Sequence, residues 1–245
     1  MKNLLIQLVC LLTVVMLQEV LKWPKNMSAA LVKTVLTDKA VVDENNKRLV
    51  LGCGALVYDL LRLLKQNPSF SDRVNIQCLP ASWHNSPQLI APGVEKYLSE
   101  NAHLYKEVYI AYADCGTGGA LDKVLNKYKA KRIEGAHCYE FFAGTDAFEK
   151  LSEEEIGTFY LTDYLVKNFN RIMIKGLGLD KHPELFDAYF KHYKKLVYLA
   201  QTENDDWKKD AEKYAKDFGF DYEYRLVGTG SLDSVFEEID IGLLS

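Results

Sequence analysis

Glu107 to Gly119 reads EVYIAYADCGTGG, and Lys131 to Glu140 reads KRIEGAHCYE. Each opens as an extended, apolar-rich run and closes on a cysteine. The first ends in Asp114-Cys115-Gly116-Thr117-Gly118-Gly119, the second in His137-Cys138-Tyr139-Glu140. Runs of this length and make-up, bounded by glycine and polar residues, read as β-strands. Strand ends in an α/β sheet lie together along one edge, where ligands bind. Two thiols, an imidazole and two carboxylates are therefore expected to converge in one cleft.

The same unit of strand, polar or glycine-rich tip and helix recurs on either side. Arg48–Leu51 leads to Gly52-Cys53-Gly54 and a helix over Ala55–Gln66. Val74–Leu79 leads to Trp83-His84-Asn85-Ser86-Pro87 and a helix from about Leu89. Ala120–Tyr128 has helical spacing. Ser152-Glu153-Glu154-Glu155 has the pattern of a capping box at a helix start. Further strands are expected over Gly157–Leu161, Leu196–Ala200 and Tyr222–Val227, with helices over Tyr164–Ile174, Leu179–Tyr193 and Trp207–Phe218. About six such units define an α/β fold, a mostly parallel sheet flanked by helices. A more helical middle separates two related lobes within a single domain over residues 46–245.

A chain of 245 residues with 48% apolar and 26% charged residues suits a folded globular protein. Its net charge of −4, without a basic block, argues against a nucleic-acid partner. The five cysteines are Cys10, Cys53, Cys78, Cys115 and Cys138, an odd number without the spacing of a disulfide framework. Free thiols beside His and Gly point to a reducing compartment, the cytoplasm. Leu4–Leu17 argues the other way, being apolar enough for a signal-peptide core but short for a membrane span of about 20 residues. It reads as a signal or anchor, as a helix packed on the domain, or as an extension upstream of a start at Met27. A membrane enters only if residues 1–30 are retained.

The side chains at the strand tips carry the chemistry. Glycines at 116, 118 and 119 allow a sharp turn into a helix whose amides, with Thr117, favour an anionic cofactor group. A helix start also favours thiolate at Cys115. The competing reading is a tight turn around a buried cysteine. His137 and Cys138 are both metal-ligand types, although neighbours on an extended strand face opposite ways, so only a turn aims both at one ion. His84 and Cys53 stand at comparable tips. Cys53, His84, Cys115, His137 and Cys138 thus form a pool large enough for a zinc or iron site. Asp114 and Glu140 are candidates for proton transfer or for orienting a ligand. Asp163 is either a carboxylate of this site or a helix cap. The pattern fits neither the Walker lysine loop nor the dinucleotide fingerprint.

Ala113–Gly119 and Gly135–Gly144 together resemble the bacterial and archaeal domain of unknown function 1638 family. The likeness continues through Gly157–Asp163, Gly176–Leu185 and Val197–Thr202, and covers about residue 48 to the C-terminus. Lys181 and Lys191-His192 depart from the family pattern. The resemblance implies that Asp114, Cys115, His137, Cys138 and Glu140 form the functional core. It also implies an association with corrinoid-dependent methyl transfer, with a small-molecule substrate and a corrinoid protein or methyltransferase as partner. The expected function is a metal- or thiolate-dependent enzyme; the alternative is a non-catalytic metal or corrinoid carrier.

Overall fold

A computed structural model describes residues 47–68, 73–230 and 232. The apolar run Leu4–Leu17 lies outside them. Among the described residues no helix is long and apolar enough to cross a membrane.

β1 (Arg48–Cys53) is buried along its whole length, as a central parallel strand must be when helices cover both faces. It pairs in parallel with β2 (Val74–Leu79) on one side and β3 (Glu107–Ala111) on the other. β3 pairs with the two-residue β4 (Lys131–Arg132), giving the order β2-β1-β3-β4. Between them run α1 (Val57–Gln66), α2 (Ile90–Asn101) and α3 (Ala120–Tyr128). The chain leaves β1 toward one edge of the sheet and later returns to pair β3 on the other side. The carboxyl ends of β1 and β3 therefore form a topological switch point, where open α/β sheets leave a crevice.

A second parallel sheet has the order β5-β6-β7, formed by Thr158–Leu161, Lys195–Ala200 and Asp221–Leu226. The helices α4 (Cys138–Ala143) and α5 (Thr145–Glu154) lead into it. α6 (Asp163–Lys167), α7 (Leu185–Phe190) and α8 (Asp205–Phe218) follow within it. Each sheet has its own apolar core, one around Leu49, Leu51, Leu60 and Ile110, the other around Leu161, Leu165, Leu196 and Tyr198. The α/β class, the parallel pairing and the two lobes agree with the sequence reading.

Three local expectations are corrected. Ser152 lies near the end of α5 and caps nothing; the helix begins after Gly144, whose φ of 82° breaks the chain from α4. The strand expected over Lys131–Ala136 closes after Arg132, because the chain bends through Gly135 at φ 102°. The helix expected over Tyr164–Ile174 divides into α6 and a π-helical turn at Asn170–Ile174.

Gly93, on α2, is a packing requirement. A Cβ there would lie 2.1 Å from the Trp83 ring. Alanine improves helix propensity by about 1 kcal/mol, but a rigid indole cannot yield that much space, and overpacking typically costs about 1–3 kcal/mol. Gly93→Ala is expected to lower stability, seen as a lower urea midpoint with an unchanged slope.

Candidate functional site

A cavity of about 250 Å³ opens at the switch point. Cys53, Ala55 and Leu56 reach it from the end of β1; Tyr112, Cys115 and Gly116 reach it from the end of β3. His84 comes from the turn after β2, His137, Cys138 and Tyr139 from the start of α4, and Thr162 and Leu165 from the second lobe. All five expected metal-ligand residues, Cys53, His84, Cys115, His137 and Cys138, border this one space. Nothing in the lining is Lys, Arg, Asp or Glu.

The two cysteine segments run side by side, with the Asp114 amide donating to Gly135 O at 3.1 Å and the Cys115 amide to Ala136 O at 2.8 Å. This brings the Cys115 and Cys138 sulfurs to 3.1 Å. Hydrogen bonding from the Cys138 thiol, against burial, holds Cys115 below the ordinary thiol value. The same contact, reinforced by burial, pushes Cys138 well above it. The two thiols titrate as a pair, one stabilising the thiolate of the other. Burial raises Cys53 to about 12, and its sulfur accepts the Ala55 amide at 3.4 Å. Cys78 lies on β2 and is likewise raised to about 12 by burial.

His137 is the extended residue before α4, and Cys138 is the first residue of that helix. The turn lets both border the cavity, which a straight strand would forbid. His84 Nε2 lies 3.1 Å from the Tyr139 hydroxyl. Burial, with His137 nearby, lowers its pKa from 6.5 to about 4. His84 is thus neutral near pH 7, the form able to bind a metal.

The expected carboxylates are engaged elsewhere. Asp114 accepts the Thr117 hydroxyl at 2.7 Å and the Gly118 and Gly119 amides at 3.0 and 2.9 Å. These bonds, against partial desolvation, keep it below the ordinary carboxylate value. The turn's amides face their own carboxylate; of the four residues expected at a cofactor, Gly116 borders the cavity while Thr117, Gly118 and Gly119 do not. Glu140 accepts the Ala136 amide at 2.9 Å and closes its own loop. Asp163 accepts bonds from the Tyr198 hydroxyl at 2.7 Å, the Gln201 amide at 3.0 Å and the Thr202 hydroxyl at 2.6 Å. It ties β5 to β6, while the preceding Thr162 caps α6.

Tyr112 and Tyr139 belong to the site without being singled out in the sequence. Tyr112 is 1% exposed, and its hydroxyl lacks a hydrogen-bond partner among the described residues. Its position at the end of β3, three residues before Cys115, was the available signal. Tyr139 stacks on Tyr160 with ring centroids 5.4 Å apart.

The donor set suits a soft or borderline metal, with two sulfurs already adjacent. Among the described residues, however, no three His, Cys, Asp or Glu side chains stand together as a ready metal cluster. A third ligand requires Cys53, His84 or His137 to turn toward the sulfur pair.

Such a molecule is a two-lobed α/β protein with a thiol- and imidazole-lined pocket at its switch point. The chain belongs to the family described as protein of unknown function (DUF1638), whose model matches residues 78–236. That span includes His84, Cys115, His137 and Cys138 but not Cys53. No curated protein and no solved structure matches the chain.

Two outcomes follow from these surroundings. Between about pH 4 and 6.5 the unfolded chain binds a proton at His84 that the folded chain refuses. The His84 contribution to stability is therefore complete above pH 6.5 and lost on acidification. Asp59, raised by burial from 3.8 to about 7, acts in the opposite sense over nearly the same range. The difference between wild type and His84→Gln cancels Asp59, so the wild-type advantage in urea unfolding is expected to shrink from pH 6.5 toward pH 4. Tyr112→Phe removes an unpaired buried hydroxyl and is expected to leave stability unchanged or raise it by up to about 1 kcal/mol. A loss of that size would show that the Cys53 thiol satisfies the hydroxyl.

Proposed function

We propose that this pocket is the working site of a thiolate- and metal-dependent enzyme. The observation that carries the reading is the 3.1 Å approach of the Cys115 and Cys138 sulfurs in a cavity also bordered by Cys53, His84 and His137. Zinc or iron would be held by Cys115 and Cys138, with Cys53, His84 or His137 completing the shell. A bound metal supplies Lewis acidity and stabilises thiolate at neutral pH. Of the groups bordering the pocket, the Cys115–Cys138 pair can supply a thiolate, and neutral His84 can offer a lone pair to a metal. The uncharged lining favours a small, neutral substrate. A role in corrinoid-linked methyl or one-carbon metabolism, with a corrinoid protein or methyltransferase as partner, rests on family likeness alone.

The alternative, a non-catalytic metal or corrinoid carrier, uses the same residues. Purified protein is expected to contain about one equivalent of zinc or iron per chain. Cys115→Ser and His137→Ala should lower that content while circular dichroism stays that of the folded protein. Metal-free wild type that cannot be loaded would overturn the metal reading. Stoichiometric binding without turnover of methylated compounds supplied with a corrinoid acceptor would favour the carrier.

A further inference from the structure

The sulfur pair is also arranged for a covalent change. At 3.1 Å, Cys115 and Cys138 need to approach by only about 1 Å to reach the 2.05 Å of a disulfide. Their segments are already registered by the Asp114–Gly135 and Cys115–Ala136 backbone bonds. Cys115 has φ 49°, a left-handed backbone uncommon for a residue with a side chain. The other such residue among those described, Lys129, merely ends α3. Beyond Cys115 the loop runs through exposed Gly116 and Gly118, and nothing lies within 4 Å of where a Gly118 side chain would be. Cys138 is held as the first residue of α4, and Cys115 opens the turn that the Asp114 carboxylate clamps, so both sulfurs are presented on fixed backbone. Both cysteines are half-buried, so a small reagent entering the cavity can reach them.

We propose that Cys115 and Cys138 form a reversible dithiol–disulfide centre that exchanges with small, uncharged disulfides. The lining without Lys, Arg, Asp or Glu sets the chemistry of the reagent. The Cys115 thiolate attacks one sulfur of the incoming disulfide, forming a mixed disulfide and expelling the other half as a thiolate. The Cys138 thiol then gives up its proton and attacks the Cys115 sulfur, which expels the second half. The two cysteines lose two electrons and two protons, and the reagent leaves as two thiols. The centre operates without a metal; if one is bound, oxidation withdraws two sulfurs from it.

The test is incubation of the full chain, stripped with a chelator, with 2-hydroxyethyl disulfide. Remaining thiols are blocked with N-ethylmaleimide, and tryptic peptides are weighed without reduction. Trypsin isolates Cys115 in peptide 107–123 and Cys138 in peptide 133–150. The expected result is these two peptides joined with the loss of two hydrogens, and separated again by dithiothreitol. In Cys138→Ser, peptide 107–123 should retain one hydroxyethylthio group. Both wild-type peptides carrying maleimide or separate adducts, or joined instead to Cys53 or Cys78, would overturn the proposal, as would peptide 107–123 carrying only maleimide in Cys138→Ser. Metal content measured before stripping reports on the proposed function separately: a link in protein that never held metal keeps the dithiol centre, and a metalloprotein without the link loses only that.

Discussion

The parallel pairing of β1 with β3, and the departure of the chain to opposite sides beyond Cys53 and Ala111, is the constraint on which the pocket depends. Two parallel strands joined through helices on different sides cannot be covered by either helix at their carboxyl ends. The gap is filled by whatever the strand tips carry. Here they carry Cys53 from β1 and Tyr112, Cys115 and Gly116 from β3, with α4 delivering His137 and Cys138 from the next tip. The second lobe completes the wall with Thr162 and Leu165. A buried central strand such as β1, with all six residues inaccessible, fixes this geometry more firmly than any single side chain at the rim.

The second lobe has its own organising group in Asp163. Three donors from β6 and the turn after it converge on one buried carboxylate, a far better satisfied arrangement than an isolated buried charge. The Gln201 side chain returns the contact by accepting the Asp163 amide at 2.7 Å. Arg62 pairs with Asp59 within α1 at 2.5 Å and donates across the lobes to the Gln201 carbonyl at 3.2 Å. The strand tips of the second sheet are thus linked to α1 of the first lobe, holding the pocket wall contributed by Thr162 in position.

Much of this was legible in the sequence because period-two runs ending in glycine or polar tips encode parallel strands directly. β2 and α3 begin and end where the residues indicate, and the convergence of Cys53, His84, Cys115, His137 and Cys138 on one cavity was readable from their place at those tips. The roles of the carboxylates were not legible. Asp114, Glu140 and Asp163 stand at the tips as a catalytic acid would, but their partners are backbone amides and hydroxyls that only the folded chain brings near. Tyr112 escaped notice for the converse reason: a tyrosine on a strand reads as core, and its unpaired hydroxyl is visible only in three dimensions. The pattern at Ser152–Glu155 misled because a capping box is a local motif, whereas α5 is started by the break at Gly144.

The Asp114 clamp also bears on which metabolites this fold refuses. In many open α/β proteins the glycine-rich turn after a strand receives a phosphate on its free amides. Here a permanent negative charge belonging to the chain itself sits on the Gly118 and Gly119 amides. Nucleotides and sugar phosphates would meet electrostatic repulsion at the place where their relatives elsewhere are welcomed.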